Sequence, residues 1–171
     1  GLSAVQLAKI SGARVVAAVG SESKKKLVQQ FGPELVINYQ EENLKEIVEA
    51  KYGKRPIDVF YDQVGGEPYE QGVRLLGSEG RALIVGFASG NIPTQLLSYL
   101  LVKNISIMGV FMISFENDDK KYLQSRMELI FDLYINQQIE PVYKTIKFDE
   151  IVEYLDMIGR RETVGRIVAV R

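Results

Sequence analysis

The 171 residues suit a single domain of ordinary size. Lysine and arginine number 21 against 22 aspartates and glutamates, and this near-balance gives no reason to expect a nucleic acid or a bilayer as partner. No apolar run approaches the roughly 20 residues that span a membrane. The absence of cysteine excludes disulfides and fits a reducing compartment, which we take as the cytoplasm, with the mitochondrion left open.

Helical and strand-like patterns alternate along the chain. Helices are predicted over residues 1–9, 24–31, 42–52, 68–76, 118–138 and 149–158. Strands are predicted over residues 14–19, 34–38, 57–62, 81–86, 105–111, 141–148 and 166–170. Strands that alternate with helices at this spacing predict a doubly wound parallel sheet with right-handed crossovers.

Two of the predicted buried strands run directly into glycine turns. The first ends at Gly65-Gly66, and the second runs into the segment from Gly86 to Gly90. Glycine lets a backbone lie close to a flat ligand, and ligands of open parallel sheets bind beyond the carboxyl ends of the strands. Either turn alone is explained by turn geometry, but two in one alternating pattern favour a nucleotide site.

Five strings resemble one known family in an unbroken order along the chain. They are residues 36–39, 58–66, 80–90, 101–106 and 163–168. Together they are similar to the zinc-independent, zeta-crystallin-like quinone oxidoreductase branch of the medium-chain dehydrogenase/reductase superfamily. The resemblance implies a Rossmann domain over residues 1–137, incomplete at its start. It also implies that residues 138–171 return to a GroES-like catalytic domain.

The start of the chain has a particular meaning within that resemblance. Residues 1–9 read as a helix with no strand before it, and Gly1 fits the last glycine of the dinucleotide fingerprint. The resemblance therefore implies that the first strand, most of the phosphate loop and the catalytic domain lie upstream. We expect the chain to be the C-terminal half of an enzyme.

The choice of cofactor rests on the tip of the second strand of such a sheet. NAD-binding sheets usually place a carboxylate there, whereas this strand ends at Gly20-Ser21. The hydroxyl of Ser21 and the ammonium of Lys24 would hold a 2′-phosphate, and the family's phosphate-binding lysine and tyrosine match Lys24 and Tyr39. We therefore predict NADP (NADPH), and Glu22 is the one residue that would favour NAD if it turned inward.

The nicotinamide end is predicted at the ends of three later strands. Backbone groups there would hold the carboxamide, and Phe87 would exclude water. By resemblance, a turn after the strand at 105–111 lies beside the nicotinamide, and Arg161 is a candidate for the cofactor's negative charge, although it equally suits a solvated surface arginine. The predicted nicotinamide residues are Gln63, Val64, Phe87, Ala88, Ser89, Phe111, Met112 and Ile113.

Acid–base and metal chemistry are sparse in the sequence. Without histidine or cysteine the chain offers neither the ligands that zinc prefers nor a Ser/His/Asp or Cys/His arrangement. Asp58 and Asp62 are interpreted as a solvated strand end and a turn residue. We predict no metal site and assign no catalytic residue.

Three functions remain open from the sequence. The first is the cofactor-binding half of an NADPH-dependent oxidoreductase that reduces small-molecule quinones, or enones as the alternative. The second is a cofactor-binding fragment without turnover, and the third is another nucleotide-fold enzyme such as a methyltransferase. The five matching strings favour the first.

The strand at 105–111 also predicts an assembly. In the usual strand order it is the last strand of the sheet, and its interior has no proline or charge. An exposed edge of this kind templates another strand, and the resemblance implies pairing across a two-fold axis. We predict a homodimer through residues 105–111, although the long helix that follows would cover the same edge in a monomer.

Overall fold

Helices and strands alternate along the computed structural model, which describes residues 1–114 and 119–171. The helices are α1 (Leu2–Ile10), α2 (Glu22–Gln29), α3 (Leu44–Tyr52), α4 (Gly66–Val73), α5 (Leu97–Lys103), α6 (Lys120–Ile135) and α7 (Ile151–Gly159). The strands are β1 (Val16–Val19), β2 (Leu35–Asn38), β3 (Ile57–Asp62), β4 (Leu76–Ile84), β5 (Ser106–Gly109), β6 (Tyr143–Lys147) and β7 (Arg166–Val170).

The described strands pair in three groups, β1-β2, β3-β4-β5 and β6-β7. The pairs β3-β4, β4-β5 and β6-β7 are parallel. In the first group Glu34 N–H donates to Val15 C=O at 2.9 Å and Tyr39 N–H donates to Val19 C=O at 3.0 Å. Both partners move towards the C-terminus together, so β1 and β2 also run parallel. Parallel pairs joined through helices confirm the predicted α/β Rossmann-type fold. Within the described residues no strand bonds to both β1 and β3.

The chain divides into two compact units. Unit 1 comprises Gly1–Ala17, Ser21–Val36 and Glu128–Arg171, and unit 2 comprises Ala18–Gly20 and Ile37–Met127. The assignment of residues 1–137 and 138–171 to two different domains stays a prediction.

The core of unit 2 lies between α4 and the sheet β3-β4-β5. Tyr69 and Val73 of α4 pack with Leu76 and Ala82 of β4, and all four side chains are buried. Partly buried apolar side chains complete the cluster: Ile57, Phe60, Ile84, Ile105 and Ile107. This packing fixes the strand ends that carry the predicted nicotinamide residues.

Local capping explains where several elements begin and end. The side chain of Ser21 accepts a hydrogen bond from Lys24 N–H at the start of α2, and Asn43 does the same for Glu46 N–H at the start of α3. Gly53 ends α3, as predicted. The helix predicted over residues 149–158 begins two residues later, because a 3₁₀ turn (Phe148–Glu150) intervenes and Glu150 accepts from Lys147 N–H at 2.7 Å.

Two further elements differ from the sequence prediction. Strand β4 begins at Leu76 rather than 81, because its pairing with β3 is irregular and accommodates Glu79 with φ of +63°. Helix α5 was not predicted, since the segment LSYLLVK is apolar on most sides and shows no helical periodicity. Helix α6 occupies most of the predicted 118–138, whose first residue lies outside the described part of the chain.

Strand β5 is shorter than the predicted 105–111 but lies at the edge of its sheet, as predicted.

Among the helices of the described ranges, none has the length and apolar character to cross a bilayer.

Candidate functional site

The turn after β3 is organised by a buried carboxylate. Asp62, the last residue of β3, is 2% exposed. Its Oδ1 accepts from Val64 N–H at 2.9 Å, and its two oxygens accept from Gly65 N–H at 3.2 and 3.1 Å. Asp62 is therefore the turn residue that the sequence indicated, whereas Asp58 of the same strand is exposed.

The turns after β3 and β4 are hydrogen-bonded to each other. Ala88 N–H donates to Gln63 C=O at 3.1 Å, and Ser89 N–H donates to Val64 C=O at 2.9 Å. The structure thus brings together four of the residues predicted for the nicotinamide end. Ala88 N–H and Ser89 N–H are therefore engaged within the protein, and the expectation that backbone groups here hold a carboxamide stays a prediction.

Gly65 is required by the protein's own loop. Its φ is +71° and its ψ is −163°, a conformation almost exclusive to glycine. A Cβ on Gly65 would lie 2.5 Å from the backbone oxygen of Asn91. This close approach accompanies the hydrogen bond from Gly66 N–H to Asn91 C=O at 3.1 Å. The glycine that suggested contact with a flat ligand therefore serves the contact between the two turns.

An apolar rim lies at the carboxyl edge of the same sheet. Phe87 is 40% exposed after β4, and three exposed apolar residues follow β5, namely Phe111, Met112 and Ile113. Because β3, β4 and β5 are parallel, these turns share one edge of the sheet, and Val110 N–H still bonds to Ile84 C=O at 2.9 Å. The arrangement offers exposed apolar surface from the ends of two strands, and its contact with a nicotinamide stays a prediction.

Unit 1 contains two cationic residues in contact. The Nζ of Lys24 donates to the backbone oxygen of Arg161 at 2.6 Å. Arg161 has φ of +61°, in the left-handed region. Desolvation by burial, and then the positive charge of Arg161, lower the pKa of Lys24 below its ordinary value. Two positive charges held near each other in this way favour an anion between or beside them.

The sequence identified Lys24 and Arg161 as two separate candidates, 137 positions apart, and the structure joins them. Ser21 caps the helix that carries Lys24. Glu22, which would favour NAD if it turned inward, is exposed.

Gly20 and Tyr39 form a second close contact, within unit 2. A Cβ on Gly20 would lie 2.7 Å from the hydroxyl oxygen of Tyr39. The absence of a side chain on Gly20 therefore makes room for the Tyr39 hydroxyl at the end of β1. At the start of the chain, Gly1 is the N-cap of α1 and its carbonyl accepts from Val5 N–H at 3.1 Å.

The sequence of the chain matches a known protein family. The family model described as "Zinc-binding dehydrogenase" matches residues 1–129. This chain belongs to that family. The predicted resemblance to the quinone oxidoreductases of the medium-chain dehydrogenase/reductase superfamily is confirmed, and the match is to their C-terminal half.

Individual relatives agree with the family. Quinone oxidoreductase-like protein 2 of Mus musculus is 32% identical over 173 residues, covering 98% of this chain and 49% of the relative. Prostaglandin reductase-3 of Mus musculus is 27% identical over 183 residues, covering 96% and 47%. The chain therefore spans about half the length of the curated relatives it matches.

A solved structure shows the same fold. Escherichia coli quinone oxidoreductase complexed with NADPH superposes with a TM-score of 0.89 at 24% identity, covering all of this chain and 53% of that one. At 24% sequence identity, this structural similarity establishes the fold of this zinc-binding dehydrogenase family member.

The family's name raises the question of a zinc ion. The sequence contains no histidine and no cysteine, and zinc in proteins is held mostly by those two residue types. In residues 1–114 and 119–171, no three acidic, histidine or cysteine side chains cluster so that they could hold a metal ion. The residues present here do not fit zinc.

Proposed function

We propose that this chain is the NADPH-binding part of an oxidoreductase that reduces quinones by hydride transfer. The observation that carries the proposal is the contact between Lys24 and Arg161. Two cations in contact suit a 2′-phosphate, and the strand that precedes Lys24 in the sequence ends at Gly20-Ser21 without a carboxylate that would repel it. The quinone oxidoreductase-like relative and the NADPH complex of the Escherichia coli neighbour support this choice.

Each unit has its own role in the proposal. In unit 1, Ser21, Lys24 and Arg161 would bind the 2′-phosphate through charge-assisted hydrogen bonds. In unit 2, Gly20 and Tyr39 would lie at the adenosine side, as the family resemblance implies. Gly1 would contribute the last backbone position of the pyrophosphate turn.

The residues at the carboxyl edge of β3, β4 and β5 would receive the nicotinamide. NADPH supplies the hydride when it is bound, so the protein needs to orient the ring and exclude water. Phe87, Phe111, Met112 and Ile113 supply apolar surface for that purpose, and their side chains are exposed in this chain. The joined turns of Gln63-Val64 and Ala88-Ser89 would fix where that surface lies.

Equilibrium binding and turnover test the proposal together. We expect the protein that carries this chain to bind NADPH more tightly than NADH by fluorescence titration, and to oxidise NADPH with 1,4-benzoquinone. Equal affinity for the two cofactors, or no binding of either, would contradict the proposed function.

A reductase of enones or enoyl compounds is the second candidate. It is favoured by the prostaglandin reductase-3 relative, which matches 96% of this chain. Steady-state rates with a simple quinone and a simple conjugated enone, at the same NADPH concentration, separate the two. A higher kcat/KM for the enone would replace the quinone assignment.

The 171 residues alone are expected to show no NADPH:quinone turnover. The family resemblance assigns the pyrophosphate loop and the catalytic domain to residues upstream, and backbone donors of that loop hold the cofactor's phosphates. Absorbance at the reduced-nicotinamide band of NADPH should stay constant when the isolated chain and 1,4-benzoquinone are added. A steady decrease would show that the half suffices.

The pH dependence of cofactor binding follows from the lowered pKa of Lys24. A bound phosphate favours the ammonium form, so affinity for NADPH should fall as pH rises through that pKa. Because the pKa is lowered, the fall should begin at a lower pH than for an ordinary lysine. Titrations of NADPH and NADH from neutral to alkaline pH check this, with NADH expected to show no such fall.

We also propose a homodimer through the free edge of β5. Strand β5 pairs with β4 on one side, and Met108 on it is 53% exposed. Ile107 packs against the core of unit 2, so a charge at position 107 would disrupt folding rather than test the edge.

Met108→Lys should convert the dimer to monomers, because the ammonium would lie at the pairing edge. Analytical ultracentrifugation measures the change, and Met108→Leu is the matched apolar control that should stay dimeric. A dimer undisturbed by Met108→Lys would exclude pairing through β5.

A further inference from the structure

Asp62 is a buried charge whose partners are backbone amides. It is 2% exposed, and its carboxylate accepts from Val64 N–H at 2.9 Å and from Gly65 N–H at 3.2 and 3.1 Å. A buried carboxylate is unfavourable unless such bonds compensate for its lost hydration. The bonds therefore couple the position of the turn to the ionised side chain.

The orientation of these amides determines which way the turn presents its carbonyls. With Val64 N–H and Gly65 N–H directed at Asp62, Gln63 C=O accepts from Ala88 N–H at 3.1 Å and Val64 C=O from Ser89 N–H at 2.9 Å. One carboxylate thus holds the turn after β3, and that turn holds the loop after β4. The loop carries Phe87 to the apolar rim.

The far end of the same loop is fastened nearby. Gly66 N–H donates to Asn91 C=O at 3.1 Å, and the Tyr69 hydroxyl lies 3.4 Å from Gln95 Oε1. Burial, and then the negative charge of Asp62, raise the pKa of Tyr69, so this hydroxyl keeps its proton for hydrogen bonding. Asn91, at the far end of the loop, is thus bonded to the residue that follows Gly65.

We propose that Asp62 is a positioning residue for the nicotinamide end of the proposed cofactor site. It acts through the Gln63–Gly66 turn and the loop from Phe87 to Asn91, and it does not itself touch the cofactor. A role limited to capping α4 would affect folding but would leave cofactor orientation unchanged once the protein is folded. This inference rests on the proposed function.

The decisive variant is Asp62→Asn in the full protein. The amide keeps the oxygen that accepts from Val64 and Gly65, but it places an N–H₂ donor where Oδ2 accepts from Gly65 N–H at 3.1 Å, which removes one of the three hydrogen bonds and sets two donors against each other. Because misplacement of about 1 Å costs on the order of a hundredfold in rate, we expect kcat at saturating NADPH to fall by about that factor. The KM for the quinone should change little.

Binding supplies a readout that does not depend on turnover. Asp62→Asn should weaken NADPH by about fivefold or more, at the low end of the cost of an unsatisfied buried group. It should leave adenosine 2′,5′-bisphosphate, which lacks the nicotinamide, within about twofold of the unmodified protein. Asp58→Asn is the matched control, because it removes the same charge from an exposed position of the same strand.

A second variant distinguishes the positioning role from a general folding defect. Asp62→Ser retains an uncharged acceptor for the turn and should recover part of the lost kcat. Failure of the unmodified protein to bind NADPH would overturn the proposed function itself. Equal weakening of NADPH and the bisphosphate, unchanged kcat in Asp62→Asn, or loss of folding in both variants would overturn the positioning role while leaving the proposed function intact.

Discussion

Lys24→Ala should raise the dissociation constant of the intact protein for NADPH by about 10- to 150-fold. The variant removes one charge-assisted hydrogen bond to the 2′-phosphate, and such bonds contribute about 1.5–3 kcal/mol. Lys24 Nζ bonds to the carbonyl of Arg161 at 2.6 Å, so the ammonium is already held beside the second cation before the cofactor arrives. NADH has no 2′-phosphate, and its affinity should stay the same.

Lys26→Ala is the control for this prediction. It removes an identical charge from the exposed part of the same helix, two residues away, and a general electrostatic effect would appear in both variants. Fluorescence titration of each variant with NADPH and NADH gives the four constants needed. Equal losses for NADPH and NADH in Lys24→Ala, or equal losses of NADPH affinity in both variants, would refute the phosphate assignment.

The parts of the fold that the sequence predicts are those with a local cause. Gly53 ends α3 because its φ of +87° is unfavourable for residues with a side chain, and Asn43 caps the same helix through its own side chain. The apolar run at residues 34–38 located β2 within about a residue because this strand is largely buried. Strand β3 was also located at its observed bounds, although Asp58, Val59 and Tyr61 are exposed. Such signals lie within a few positions of the structure they determine.

The parts that the sequence missed depend on partners far along the chain. The early start of β4 follows from irregular pairing with β3 and from Glu79 N–H bonding to Asn104 C=O at 2.6 Å. Asp149 has a suitable side chain for a cap, but Glu150 takes that place through its bond to Lys147 N–H. No local pattern distinguishes such outcomes beforehand.

The candidate site also contains residues that the sequence predicts and contacts that only the folded chain shows. Ser21 and Lys24 follow from the missing carboxylate at a strand tip, which is visible in the sequence. The contact of Lys24 with Arg161 and the room that Gly20 makes for Tyr39 require the folded chain. Asp62 had a visible signal, since an aspartate just before a Gly-Gly turn often bonds backbone amides. Its link to a second loop was not visible.

Gly65→Ala should lower the free energy of unfolding by about 2–6 kcal/mol. The backbone at Gly65 has φ of +71° and ψ of −163°, and placing a side chain there costs about 1–3 kcal/mol. The added Cβ would also lie 2.5 Å from the backbone oxygen of Asn91, and overpacking of this kind costs about 1–3 kcal/mol more. The oxygen would have to move away, which breaks its bond with Gly66 N–H.

Gly53→Ala separates backbone strain from the clash. Gly53 has nearly the same conformation, φ of 87° and ψ of −176°, but a Cβ there meets nothing within 4 Å. Urea unfolding should therefore show a loss of only about 1–3 kcal/mol for Gly53→Ala. The larger loss in Gly65→Ala should come with weaker NADPH binding, because the displaced Asn91 belongs to the loop that carries Phe87. An equal decrease in the free energy of unfolding in the two variants would mean that the loop containing Asn91 moves away from the new Cβ with little loss of stability. The contact between the two turns would then contribute little to stability, contrary to the prediction.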